Sequence, residues 1–293
     1  MKKLLLSIYK FFVNLIPAEK RNSIKSVFFI RPIYYFIISC LRTNFAIVQG
    51  HKMFLDSLDS LCLSVNEVYE PCILEIVNRE VRKNDVVLDI GANIGYFTLI
   101  FARLVGEGGK VFAFEPDPIN FELLKKNIEI NGYKNVVLVQ KAVSEKSETA
   151  KLYVSEINKG DHRIYDSGPD DVRKVVEIET VRLDDYFQDY AGKINFVKID
   201  TQGAEGAVIS GFLSTLQKDQ CKNTKIITEF WPKGEWIFHT DSKQTLASFL
   251  DLGFKLYDID EPAKETRLCP IEHFLNKYTV ELDNGTNIFC VRE

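Results

Sequence analysis

The 293 residues are 46% hydrophobic and 27% charged, ordinary values for a soluble globular protein with a substantial core in one large or two small domains. The net charge of −4 is unevenly spread: residues 1–52 carry nine Lys/Arg and one acid, so the remainder carries 28 basic and 40 acidic side chains. An acidic body repels phosphate backbones and argues against a nucleic-acid partner. Six cysteines without C-x-x-C or Cys/His spacing argue against structural zinc and disulfides and suit a reducing compartment.

In chain order, residues 1–52 read as a basic, apolar, helical arm. In MKKLLLSIYKFFVNLIP, Lys10 interrupts the apolar stretch and no small-residue cleavage site follows, which makes a poor signal peptide. Val27–Leu41 is broken by Arg31 and Pro32 and falls short of the ~20 residues of a spanning helix. Leu5, Ile8, Phe12, Leu15 and Ile16 can share a helical face beside Lys2, Lys3 and Lys10. This suits an interfacial helix on an anionic membrane, and equally a helix packed on the body or on a second copy. The expected location is cytoplasmic, with peripheral membrane contact through the arm left open.

Residues 45–63 read as short strands around Gly50, and Val65–Val81 as a helix entered through NEVYEP. Segments in this position often lid a nucleoside cofactor, which makes Tyr69 and Glu70 candidate contacts. Next comes VVLDIGANIGYF, residues 86–97. Its apolar run, broken only by Asp89, suits a central parallel strand. Gly91 and Gly95 bracket Ala92, Asn93 and Ile94, and a glycine turn allows close ligand approach. The following segment to Val105 has helical apolar spacing. KVFAFEP, residues 110–116, is a second strand ending at Glu115 and Pro116, where an acid can accept two hydrogen bonds from a ribose diol. G-A-N-I-G lacks the third glycine of the nicotinamide fingerprint. Asp89 before the turn would sit badly beside a pyrophosphate. It suits a cationic, phosphate-free cofactor, such as S-adenosylmethionine.

DPINFELLKKNIEING is a helix with Asp117 as N-cap, Pro118 at its first position and Gly132 beyond its end. NVVLVQKAVS is a third strand whose end, Lys141–Ser144, should lie beside the adenine, with backbone around Ala142 reading its edge. KLYV and VVEIETVRL alternate as paired strands. The polar loop between them, residues 155–173, contains His162, whose free pKa suits proton transfer at neutral pH. Ile194–Ile199 is a fourth strand with Asp200 at its carboxyl end, the rim where ligands bind in such sheets. Glu205 follows, either at the site or complementing a helix N-terminus. KIITEFWP is a fifth strand with Glu229 at the same rim. Trp231 and Trp236 then form a sugar or lipid platform, or simply pack. Ser242–Leu252 is a helix, and FKLYDI and TNIFCV an antiparallel edge pair.

The ordered set VVLDIGANIGYFTL, FEPDPINFELLKKNIEING, LVQKAVSE, VRLDDYF, FVKIDTQGAEGAVISG and IITEFWP resembles the FkbM family of S-adenosylmethionine-dependent methyltransferases, from about Met53 to Lys233. The D-x-G-A-N-x-G turn is shared widely; K-I-D-T-Q-G-A-E after V-R-L-D-D-Y is more specific. Thr201-Gln202 departs from the common Val-Glu and removes one acid near the site. The resemblance implies a Rossmann-like seven-stranded sheet, mostly parallel with an antiparallel last strand, in a domain over 53–293 with its core at about 84–233. It further implies O-methylation of a sugar, glycolipid or natural product. The expected cofactor residues are Asp89, Gly91, Ala92, Asn93, Gly95, Glu115, Pro116, Lys141 and Ala142. The bases weighed for the acceptor hydroxyl are His162, Asp200 and Glu229. Magnesium on Asp200 with Glu205 or Glu229 is compatible with hard oxygen ligands but not demanded. The alternatives are an N-methyltransferase and a non-catalytic nucleoside-binding module docking a membrane or partner.

Overall fold

The computed structural model describes residues 43–64, 66, 68–168, 171 and 173–292; the readings made for residues 1–42 lie outside these. The first elements are a hairpin of β1 (Phe45–Val48) and β2 (His51–Phe54), then α1 (Pro71–Glu80). The βαβ core follows as β3 (Val86–Ile90), α2 (Tyr96–Val105), β4 (Lys110–Phe114), α3 (Pro118–Ile130) and β5 (Val136–Val139). Three short strands come next: β6 (Ala142–Val143), β7 (Thr149–Val154) and β8 (Lys174–Val181), then α4 (Leu183–Tyr186). The second half holds β9 (Phe196–Ile199), α5 (Glu205–Ser210), α6 (Leu213–Leu216), β10 (Lys225–Phe230), α7 (Pro232–Ile237) and α8 (Ser242–Asp251). It closes with β11 (Lys255–Asp260), β12 (Glu265–Leu268), α9 (Ile271–Lys277) and β13 (Thr286–Val291).

The main sheet runs β12-β11-β13-β10-β9-β3-β4-β5. The five strands from β10 to β5 are mutually parallel, and β13 inserts antiparallel beside β10. This is the expected Rossmann-like α/β sheet of seven strands, with an eighth, β12, added as a hairpin on β11. All four β12 residues are exposed, and the charges of ETRL protect that edge. The parallel strands read as continuous apolar runs because both faces are covered. Val87, Phe101, Phe196 and Ile227 join one core layer with α1, α2 and the hairpin. Leu88, Phe114, Val197 and Ile199 join the other with α5, α8 and α9. Cys72, Cys221 and Cys290 are buried in these layers.

Five local readings change. The helix expected from Val65 begins at Pro71, because proline fixes the first helical turn and disfavours helical backbone in the residue before it; Glu70 stands at φ 48. The third strand stops at Val139. Ala142–Val143 then leaves the sheet and pairs with Thr180–Val181 of β8. Leu183, read as strand, opens α4, and Trp236 lies on α7 rather than in a loop. Finally, residues 45–52 of the expected arm belong to the folded body. Val48 and Met53 are core residues, and α3 receives the hairpin through two asparagines one helical turn apart. Asn127 exchanges hydrogen bonds with the Phe54 backbone (2.6 and 2.9 Å), and Asn131 with that of Lys52 (3.0 and 2.7 Å). Their amides stand in for the partner strand that the edge of β2 lacks.

Candidate active site

One cavity lies over the carboxyl ends of β3, β4 and β9. It is lined by Asp89, Gly91, Ala92, Asn93, Glu115, Pro116, Lys141, Ala142, His162 and Asp200. Ten of the twelve expected site residues are therefore brought together; Gly95 and Glu229 stand behind the wall.

The glycine turn explains the difference between its two glycines. Gly91 (φ 80) has no side chain because a Cβ would stand 1.9 Å from the Asp200 carbonyl oxygen. Its close neighbour is thus the end of β9, which joins the two halves of the site. The Gly91 and Ala92 N–H groups both donate to the Phe114 carbonyl. Gly95 (φ 94) instead lets α2 meet α3, since its Cβ would stand 2.7 Å from Leu124 Cδ1.

Glu115 follows β4 and is buried. Its Oε2 accepts the Asn93 N–H (2.8 Å) and its Oε1 the Asp117 N–H (2.9 Å). Burial, with the nearby charges of Asp117 and Asp89, pushes its carboxyl up to about 8 against these two bonds. Each oxygen keeps a lone pair for a further donor. Asp117 caps α3 by accepting the Ile119 and Asn120 N–H groups. Asp89 Oδ2 accepts the Thr98 hydroxyl at 2.5 Å, while Oδ1 is buried without a partner. Glu70 Oε2 is likewise buried and unpartnered. Burial raises both carboxyls, Glu70 to about 7. Orphaned carboxylate oxygens are costly unless a donor reaches them; of the two residues Asp89 lines the cavity, and a carboxylate there fits an ammonium or sulfonium and repels a phosphate.

Residues 155–163 close over this end as a strap. The Lys159 carbonyl accepts the side-chain amides of Asn120 (2.9 Å) and Asn93 (3.3 Å), and the Lys159 N–H donates to Ser60 Oγ (2.8 Å). Arg163 pairs with Tyr153 through two backbone bonds. Asp161 is held by Arg163 Nε and Arg173 Nη2, both at 2.8 Å. His162 Nδ1 accepts the Ser155 N–H at 3.1 Å, and Nε2 is buried without a partner. Burial lowers its pKa; the charges around it are Asp117, Lys159, Asp161 and Arg173. With Nδ1 accepting, the neutral ring carries its proton on Nε2. A ring in that state donates from Nε2 and has no free lone pair there to take a proton. In this arrangement Nε2 is set up as a donor rather than as a base.

The opposite end is built around a residue the sequence reading passed over. Lys198 stands opposite Asp89 in the register of β3 and β9 and is buried. Its Nζ is 2.9 Å from Asp200 Oδ2 and 4.9 Å from the Phe97 ring centroid. Burial works against its charge, but Asp200, Glu70 and Asp89 together hold it protonated. Burial raises Asp200, but Lys198 and Gln202 more than reverse this, so the carboxyl stays ionised. Gln202, at φ 55, donates from Nε2 to Asp200 Oδ1 (2.8 Å) and Glu229 Oε2 (3.3 Å). Burial and the charges of Glu205, Asp200 and Glu70 push Glu229 well above the usual range. Glu205 accepts the Thr201 N–H, the Thr201 hydroxyl and the Gly203 N–H, so it clasps the turn. No group of three His, Cys, Asp or Glu among the described residues is arranged to hold a metal. Trp231 lies under the Arg163 guanidinium at 4.8 Å and donates to Asp283, so it packs; Trp236 is 64% exposed.

The signals for the missed residues were present. A lysine inside the buried run F-V-K-I must be paired, and Asn120 and Asn127 interrupt the inward stripe of α3. Among the described residues no helix is long and apolar enough to cross a membrane.

Residues 89–256 match the methyltransferase FkbM domain. The chain is 26% identical to methyltransferase sdnD of Sordaria araneosa over 50% of its length and 66% of that protein's. It is 28% identical to hexuronic acid methyltransferase AglP of Haloferax volcanii over 50% and 58% of the two lengths. A short segment is 52% identical to 31-O-demethyl-FK506 methyltransferase FkbM of Streptomyces tacrolimicus, over 16% and 18%. The chain spans less than two thirds of the length of these curated relatives. Most of the cavity's lining falls inside the matched residues, and the chain belongs to the FkbM family of methyltransferases, whose cofactor is S-adenosylmethionine.

Proposed function

We propose that the protein is an O-methyltransferase acting on a hydroxyl of an uncharged polyol, such as a sugar or a glycolipid headgroup. The observation that carries this reading is the hydrogen-bonded row Lys198–Asp200–Gln202–Glu229, whose first three members line the cavity that also holds the glycine turn and Glu115. When bound, S-adenosylmethionine supplies an electrophilic methyl group on a sulfonium. Glu115 would hold the ribose diol, and the orphaned oxygen of Asp89 the cationic end.

The acceptor oxygen gains the methyl carbon as the carbon–sulfur bond breaks, and its proton must pass to a carboxylate. Asp200 suits that role, because it is held ionised and each of its oxygens has one donor and room for another. Glu229 is the second candidate, one amide away. Lys198 is already paired, so the acceptor end offers no spare buried cation for an anionic substrate; this favours a neutral hydroxyl. The relative named for hexuronic acid supports the sugar ring of this reading and not its lack of charge, since a hexuronic acid carries a carboxylate.

The test is transfer of labelled methyl from S-adenosylmethionine to glycan and glycolipid fractions, compared with Asp200→Asn. The expected result is an alkali-stable ether product, with turnover lowered by about 10²–10⁴-fold in the variant and cofactor binding retained. Label recovered on an amine or in nucleic acid would contradict the hydroxyl acceptor. Unchanged turnover by the variant would remove Asp200 as the base.

A further inference from the structure

We propose that His162 is a specificity residue for the nucleoside: its Nε2–H donates a hydrogen bond to a ring nitrogen of adenine. This rests on the S-adenosylmethionine reading of the cavity. Three observations carry it. The Ser155 N–H occupies Nδ1, which fixes the tautomer that donates from Nε2. That Nε2 is buried and without a partner, a state that is costly until an acceptor arrives. And the ring belongs to the strap that is tied to the nucleoside end: three residues before it, the Lys159 carbonyl accepts the side-chain amides of Asn93, in the glycine turn, and of Asn120, on the helix that follows Glu115.

The surroundings suit a flat heteroaromatic ring. Ala142, Val143, Leu152 and Ile164 line the same cavity with His162, so apolar side chains from β6, β7 and the segment after the strap share that cavity with one donor. The strap cannot drift from this position without breaking the bonds of Lys159 to Asn93, Asn120 and Ser60. Asn93 also donates its backbone N–H to Glu115. The turn that orients the ribose carboxylate thus anchors the loop that carries the ring donor.

The experiment is calorimetric titration of the full chain with S-adenosylhomocysteine and with its 1-deaza, 3-deaza and 7-deaza adenine analogues. One analogue should bind the wild type about 5- to 50-fold more weakly than the parent. His162→Phe should bind the parent with that same loss and no longer distinguish that analogue. His162→Gln, which keeps a donor, should recover part of the affinity. Equal wild-type affinity for all four ligands would overturn the assignment without any variant. So would a loss in His162→Phe that is the same for parent and analogues, since that is the mark of a disturbed strap. Failure of the wild type to bind S-adenosylhomocysteine would overturn the cofactor reading together with this one.

Discussion

The two ends of the cavity are built by opposite means. The nucleoside end is assembled from short-range features: a glycine turn, a strand-ending Glu115 fixed by two backbone N–H groups, and the Asp117 cap two residues later. The acceptor end is a knot of charge in which Lys198 answers Asp200, Asp89 and Glu70 from three separate elements. In the proposed reading the first recognises a ligand by hydrogen-bond geometry, and the second holds ionised groups out of water and gives them their reactivity. Gly91 joins them, because only a residue without a side chain lets the turn rest on the Asp200 carbonyl.

If that division is right, loss of the buried cation at the acceptor end should fall on stability, and loss of the ligand-facing carboxylate at the nucleoside end on affinity. The largest effect is expected from Lys198→Met. It leaves buried carboxylates without their cation and should cost about 3–5 kcal/mol of unfolding free energy, read by urea titration; a loss under about 1 kcal/mol would show that the cluster relaxes by taking up a proton. Glu115→Ala should weaken S-adenosylmethionine binding by about 1.5–3 kcal/mol, the range for hydrogen bonds to a charged group, with a smaller effect on the urea midpoint.

A pH titration sharpens the same contrast. Ribose hydroxyls bind the ionised form of Glu115, whose carboxyl is pushed up to about 8 in the free protein. Ligand that favours the deprotonated form binds more tightly as pH rises. Affinity for methylthioadenosine, whose own groups do not titrate there, should therefore climb from about pH 6 by at most about tenfold per unit and level off above about 8. A flat profile would mean that Glu115 is already ionised at the acid end of that range. The smallest effect is expected from Asp117→Ala, which removes the cap of α3 and should cost about 1 kcal/mol of stability; no change in thermal midpoint would show the cap to be redundant.

The nucleoside end was largely legible in the sequence because its signals are local. G-A-N-I-G, the acid after F-A-F and the pair Asp117-Pro118 each specify a conformation within a few residues, and the strand order follows from alternation of strands and helices. The acceptor end was legible only in part. Asp200 and Glu229 could be placed at the rim by their strands, but Lys198 was hidden within an apolar run, and two of its three carboxylate neighbours are distant in sequence. The order within the strap was not legible for a similar reason. Residues 155–173 have the composition of a solvated loop, yet Asp161, Arg163 and Arg173 pair with one another and Lys159 is held by Asn93 and Asn120. That order arises from polar contacts, to which periodicity is blind. The move of His162 from base to donor depends on one backbone N–H that only the folded chain supplies.

The measurement that tests the account most directly is calorimetric binding of S-adenosylmethionine to the wild type, Glu115→Ala and Asp200→Asn under one set of conditions. The account predicts saturable binding by the wild type, roughly 10- to 150-fold weaker binding by Glu115→Ala, and affinity within a few-fold of wild type for Asp200→Asn. Equal losses in the two variants, or wild-type affinity in Glu115→Ala, would contradict the division of the cavity into a nucleoside end and an acceptor end.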